Sequence, residues 1–495
     1  MGNSEKLAFV IVTSLLVLLL GFIVVRAATS SDTVRVYRVS IITDDVQGDY
    51  SANVLKGLDR AARDYNIDLQ VIALHSGMTT EQQKNSLERE LEADTDAIII
   101  NLQQSDAYVS IANSFSMILV ALTMPVLGDW SDHHGRKLLP LALFSGLCIA
   151  GTALIGFLGA SLQDVTLLMI LVTLVYVLTN YGYQGALVFY NALLPSVSTP
   201  RTIGRISGYG VAIGYLGAVA GLMVARLFVD GDFFGLRLAG IKAGGTVAVF
   251  IPTALFYLIF ALPLFLFVAE PKFYRENDSS WRLRDSYKRV YHTLTDTQKH
   301  PGLVRFLVST LLYSDSIETV ILFMGVYVQS VVGFTLAETN NFFILVIPSA
   351  IIGSALCGIL TDHYGPKKTL NWVIVLWVLT LCIIIATNNR TLFWILGAVV
   401  GALMGSTWTA SRPLLITLVP KENLGEFFGL YALSGKVAAV IGPLIWSLTT
   451  FLLRDYGDHF KYKAALIALT LNMVIGWVVL WKVPDRHQRR RNSTA

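Results

Sequence analysis

One loop, written twice, constrains this chain more than any other feature. Residues 128–137 read GDWSDHHGRK, and residues 358–368 read GILTDHYGPKK. Gly, Asp and Gly recur at the same offsets (Gly128, Asp132, Gly135; Gly358, Asp362, Gly365), and basic residues follow each time. Both copies lie between apolar stretches long enough to cross a bilayer, so each reads as a tight connection between two membrane helices. Two such loops imply two related halves, an arrangement common among carriers. Composition agrees. Hydrophobic residues make up 54% and charged ones 15%, where soluble domains carry roughly a quarter charged.

Leu7–Val25 is an uninterrupted apolar run between Lys6 and Arg26, read here as a retained anchor over residues 1–26. Residues 27–108 look soluble. Strands at Val36–Thr43, Ile67–Leu74 and Ala97–Asn101 alternate with helices at Asp49–Tyr65 and Thr79–Ala93, the βαβαβ start of a parallel sheet. From Ile111 onward the chain is nearly all membrane. Eleven spans are predicted, at about 111–128, 138–160, 165–193, 203–228, 245–268, 303–331, 340–360, 369–387, 392–417, 426–452 and 464–482. They form a first bundle over 109–269, a linker over 270–302, a second bundle over 303–483 and a basic tail over 484–495.

With the anchor, the expected fold class is an all-α membrane protein, a bundle of about 12 helices carrying a small extracytoplasmic βαβαβ fragment. Arg136, Lys137, Lys367, Lys368, the linker cations and Arg489 fall on one side. The positive-inside rule makes that side cytoplasmic, with the carboxyl end, and leaves residues 27–108 outside a multi-pass protein of the cell membrane. Cys148, Cys357 and Cys382 sit inside apolar stretches without metal-ligand spacing and read as small hydrophobes. With no phosphate loop, metal cluster or nucleophile motif, the chain is expected to be no enzyme and to need no cofactor. Its expected partners are membrane lipids, a small-molecule substrate and protons, with no nucleic acid.

Asp315 and Glu318 lie near the middle of the span 303–331, and their i, i+3 spacing places both on one helix face. Carboxylates at that depth are costly unless they face a wet cavity, meet a cation or hold a proton. Lys436 and Arg412 are the candidate cations. One reading is a proton site with a cationic anchor for a carboxylate-bearing substrate; the other is a buried salt-bridge network. Tyr313, Asn191 and Trp408 are candidate lining groups, with packing as the alternative. The glycines between Gly204 and Gly221 include small-x-x-x-small spacings that allow close helix contact.

The repeated Gly-x-x-x-Asp-x-x-Gly loop resembles the signature of the major facilitator superfamily. FYNALLPS (189–196), GRISGYGVAIGYLG (204–217), LLYSDSIETVILFMGVY (311–327) and the stretch 410–443 are similar to the branch that includes the fungal vacuolar amino-acid effluxers. The resemblance implies alternating access, amino acids as cargo, and a latch in which Asp132 and Arg136 meet the helix start near Glu426. Asp362 would serve the second copy. A solvated topogenic loop is the other reading of both.

Residues 36–106 resemble the opening of the first lobe of type I periplasmic sugar-binding proteins, which implies a fusion joined near Asp106–Ser110 in place of the superfamily's first helix. Asp44, Asp45 and Asp49 follow its first strand, where ligands gather in open α/β sheets, but a single truncated lobe is not expected to hold a saccharide. The expected function is proton-coupled export of a small polar metabolite such as amino acids. The alternatives are a transport-incompetent chimeric membrane protein and a membrane-anchored ligand sensor.

Overall fold

The computed structural model describes residues 37–43, 62, 67–73, 97–100, 105–231, 243–270, 281–295, 302–453 and 456–485. The chain divides into two units, Met1–Ser114 and Phe115–Ala495. In the first, strands β1 (Tyr37–Thr43), β2 (Ile67–Ala73) and β3 (Ala97–Ile100) pair in parallel in the order β2-β1-β3. Tyr37 stands opposite Ile67 and Val39 opposite Ala97.

The expected βαβαβ fragment is corrected at this point. Such a lobe is defined by crossover helices that cover its sheet. Both expected helix ranges lie outside the described residues apart from Ala62, and β2 leaves Gln70 and Val71 exposed. Three short strands supply too little covered surface for a ligand-binding lobe, and the fold class is a nearly all-α membrane bundle. The anchor at 7–25 and Asp44, Asp45 and Asp49 lie outside the described residues.

The membrane unit is built from α1 (Ser105–His134), α2 (Leu138–Ser161), α3 (Val165–Ala192), α4 (Ile203–Asp230) and α5 (Phe250–Phe267). A linker helix α6 (Leu283–Thr295) follows. The second half holds α7 (Leu303–Tyr327), α8 (Leu336–Tyr364), α9 (Pro366–Ala386), α10 (Arg390–Leu418), α11 (Leu424–Leu452) and α12 (Asp458–Trp481). All but α6 are long and apolar enough to cross a membrane, eleven spans among the described residues. The chain is a multi-pass membrane protein. Large apolar side chains such as Leu174, Leu222, Phe267, Trp372 and Leu471 stand exposed along these helices, as a lipid-facing surface requires.

Three helix starts away from the repeated loops are capped by their own side chains. Asp164 accepts from the Leu167 N–H at 2.9 Å, Thr335 and Glu338 form a capping box, and Asn389 accepts from Thr391 and Leu392. At the repeated-loop end the starts of α2, α4 and α11 are capped by carboxylates from elsewhere in the fold, which is what makes that end a candidate site. Within the halves, α2 packs on α3 and α5, α7 on α11 and α12, and α8 on α10; between them, α4 packs on α8 and α10, and α3 on α11. The halves are unequally filled. Only 6% of the most apolar window of α4 is buried, against 43% for α11, its counterpart in the second half.

Candidate functional site

Each repeated loop delivers its aspartate to a helix of the opposite half. Asp132, at the end of α1, accepts the backbone N–H groups of Gly425 and Glu426 at 3.0 and 2.9 Å, at the start of α11. Asp362, at the end of α8, accepts those of Gly204 at 2.6 Å and Arg205 at 3.1 Å, at the start of α4. The first helical N–H groups have no partner within their own helix, and the helix dipole favours an anion there, so each carboxylate supplies what the other half lacks.

Glycine allows the approach. A Cβ on Gly128 would stand 2.2 Å from the Gly425 carbonyl oxygen, and one on Gly204 would stand 2.6 Å from that of Gly358. The loops themselves turn at Gly135 and Gly365, both at positive φ.

The two caps differ in their cations. Lys137 Nζ lies 3.2 Å from Asp132, and both side chains are almost wholly buried (1% and 3% exposed). Arg205 Nε lies 3.4 Å from Asp362 with half its side chain in the open. Arg136, expected in the first latch, is exposed, and Lys137 takes the inward position. Glu426 contributes its backbone N–H to Asp132. Lys137 also begins α2, whose first N–H groups, from Lys137 and Leu138, are accepted by Glu270 just beyond α5.

Beside the first cap, Asp129 ties the linker to the bundle. Its carboxylate accepts from Arg289 at 2.6 and 3.1 Å, Ser286 at 2.5 Å and Trp281 at 3.2 Å, all on or next to α6. The hydrogen bond to Asp129 raises the pKa of the Arg289 guanidinium above its ordinary value.

Deeper between the halves, Arg412 of α10 is buried and donates only to neutral oxygens. These are the Asn191 side chain at 3.2 Å, the Ser207 carbonyl at 2.8 Å and the Trp408 carbonyl at 3.2 Å. Asn191 and Ser207 belong to α3 and α4, so this cation bridges the halves. Ser207 Oγ returns a bond to the Thr409 carbonyl at 2.8 Å. The Tyr431 hydroxyl, 3.1 Å from Ser411 Oγ, stands within electrostatic reach of both Arg412 and Glu318. Tyr313 is fully buried beside Thr310, 3.1 Å away, and Ser411.

The two candidate carboxylates part company. Glu318 lies in the field of Lys436 without a direct ion pair among the described residues. Asp315 instead accepts from the Gly442 N–H and from Asn472 Nδ2, the latter at 2.9 Å. Asn472, Gly442, Ser207, Lys137 and the Asp129–Arg289 pair were missed in the sequence. For Asp129 a signal existed, because the second loop copy has Ile359 at the matching offset. Among the described residues, no group of three or more His, Cys, Asp or Glu is placed to hold a metal ion.

The family model described as "Vacuole effluxer Atg22 like" matches residues 196–493. An uncharacterized MFS-type transporter, YxiO of Bacillus subtilis (strain 168), is 26% identical over 389 residues, 78% of this chain and 86% of that protein. Autophagy-related protein 22-1 of Neosartorya fischeri is 26% identical over 292 residues, 55% of this chain and 47% of that one. The crystal structure of the major facilitator transporter FucP in the outward conformation superposes with a TM-score of 0.58 at 13% identity, over 81% of this chain and 95% of that one.

The architecture is therefore the major facilitator fold. The expected sugar-binding lobe and fusion are withdrawn. Residues 105–134 form one continuous helix across the supposed junction, and the family match, residues 196–493, does not include residues 36–106.

Proposed function

Since the chain belongs to the Atg22-like vacuole effluxer family, we propose that it is a secondary active transporter that exports a small polar metabolite, amino acids foremost, in exchange for protons. The observation that carries this reading is the crossed pair of caps. Asp132 and Asp362 join the halves through hydrogen bonds to helix ends, contacts that break and re-form without disturbing either core. Alternating access needs such a closure. By the positive-inside rule the loop end is cytoplasmic, so this form is shut to the cytoplasm and open to the other side.

Glu318 and Lys436 are the proposed coupling pair, because a carboxylate and an amine held apart in a low-dielectric interior exchange partners when a proton or substrate arrives. FucP, which shares this fold, is itself a fucose:proton symporter. Arg412, a buried cation bonded only to neutral oxygens, is the proposed anchor for a substrate carboxylate once Asn191 and Ser207 draw away with the first half. Asn191, Tyr313 and Trp408 line the approach to it.

Flux into proteoliposomes of the full chain tests the reading. An imposed proton gradient is expected to drive movement of radiolabelled amino acids, and Glu318→Gln is expected to abolish that drive while sparing exchange at equal concentrations. Gradient-driven flux unchanged in Glu318→Gln would remove the coupling role.

A further inference from the structure

We propose that Asp315, Thr319 and the Gly442–Pro443 break in α11 form a binding site for a monovalent metal cation, sodium in particular. Asp315 is wholly buried, and its hydrogen-bond donors are neutral, the Gly442 N–H and the Asn472 amide. No cation pairs with it among the described residues. A buried carboxylate without a counter-charge is a costly arrangement.

A second group points to the same place. The Thr319 hydroxyl, one helical turn further along α7, is buried (1% exposed) and has no hydrogen-bond partner. Elsewhere in the bundle threonines return their hydroxyl to the carbonyl four residues back, as Thr380, Thr409 and Thr470 do at 2.7 to 2.9 Å. Thr319 does not, and its oxygen is left for another partner.

The geometry joins these observations. Gly442 lies directly against both groups, since a Cβ placed on it would collide with Thr319 Oγ1 and stand 2.7 Å from Asp315 Oδ1, so carboxylate and hydroxyl converge on the same point of α11. Pro443 breaks the helix's hydrogen bonding beside them. Lacking an N–H, it leaves the Ala439 carbonyl without its helical donor. Oxygen-only ligands with a single negative charge suit a hard monovalent cation, and carbonyls freed at helix breaks are a recurrent way of holding sodium in membrane carriers. Of the other charged groups on or facing α7, Glu318 lies in the fields of Lys436 and Asp315 without a direct ion pair among the described residues, and Arg305 donates to the Lys482 carbonyl at 3.2 Å.

Binding stands apart from transport; only the use of the ion as a coupling partner rests on the transporter reading. The test is thermal unfolding of the purified full chain in sodium, potassium or choline chloride at equal ionic strength, followed by tryptophan fluorescence. Trp446, one turn beyond Gly442, stacks on Phe323, one turn beyond Thr319, at 4.7 Å, and so reports on the site.

Sodium is expected to raise the midpoint saturably over choline, and potassium to do so less. Thr319→Val is expected to keep the choline midpoint, since its hydroxyl has no partner to lose, while weakening sodium at least about tenfold. Asp315→Asn is expected to abolish the shift. Equal wild-type midpoints in sodium and choline overturn the site, as does a Thr319→Val titration matching wild type. Proton-driven flux with no sodium effect on the midpoint would overturn this site and leave the transporter reading standing. A sodium shift without solute flux would do the reverse.

Discussion

Asp132 accepts two N–H groups from the opposite half and pairs with the buried Lys137, so one side chain joins the halves and neutralises a buried ammonium. Removing one member of such a pair strands the other. Asp132→Ala is expected to lower the unfolding free energy by roughly 3–5 kcal/mol, and adding Lys137→Met is expected to recover part of that loss. Denaturant titration of the single and double variants measures the coupling, and simple additivity would show that the two side chains do not act as a pair.

The repeated loop made Asp132 and Asp362 legible in the sequence, and the adjacent basic residues announced a cation without saying which one turns inward. Asp315 was legible as a buried carboxylate. Its partners were not, because Gly442 and Asn472 lie 127 and 157 residues away and neither belongs to a pattern that a linear reading detects.

Two helix crossings carry the closure, and both depend on the absence of a side chain. Gly128→Ala would drive a methyl against the Gly425 carbonyl, whereas Gly217 has open space around it. Gly128→Ala is therefore expected to increase the reactivity of cysteines introduced near the start of α11, with Gly217→Ala leaving it unchanged; equal reactivity in the two variants would contradict the crossing.

The linker contributes at the same scale. Arg289→Ala removes the charged partner of Asp129, and faster amide hydrogen exchange across 281–295 is expected, with the flanking spans unaffected. Hydropathy located the spans, because lipid demands long apolar helices whatever their partners. It passed over α6, which is short and polar overall and docks through Ser286, Arg289 and the adjacent Trp281, with Val290 packed against the core. The sugar-binding likeness of residues 36–106 lies outside the family match at 196–493, and the helices that apolar spacing suggested between the strands lie outside the described residues apart from Ala62.

At the scale of the molecule, the halves exchange equivalent contacts. The α1 loop caps α11, and the α8 loop caps α4. That reciprocity follows from the duplicated loop; the family resemblance named the helix start near Glu426 for Asp132, but the partner of Asp362 could not be named until the chain was folded. The exchange is unequal in depth, since Lys137 is buried and Arg205 is half exposed, so the first cap is the stronger hold.

The direct test is the distance between spin labels at Arg201 and Glu422, exposed positions just before α4 and α11, with the three native cysteines replaced. A single short distance is expected with both aspartates in place, and a second, longer population with Asp132→Ala and Asp362→Ala combined. One unchanged distance in both forms would contradict a closure held by these two carboxylates.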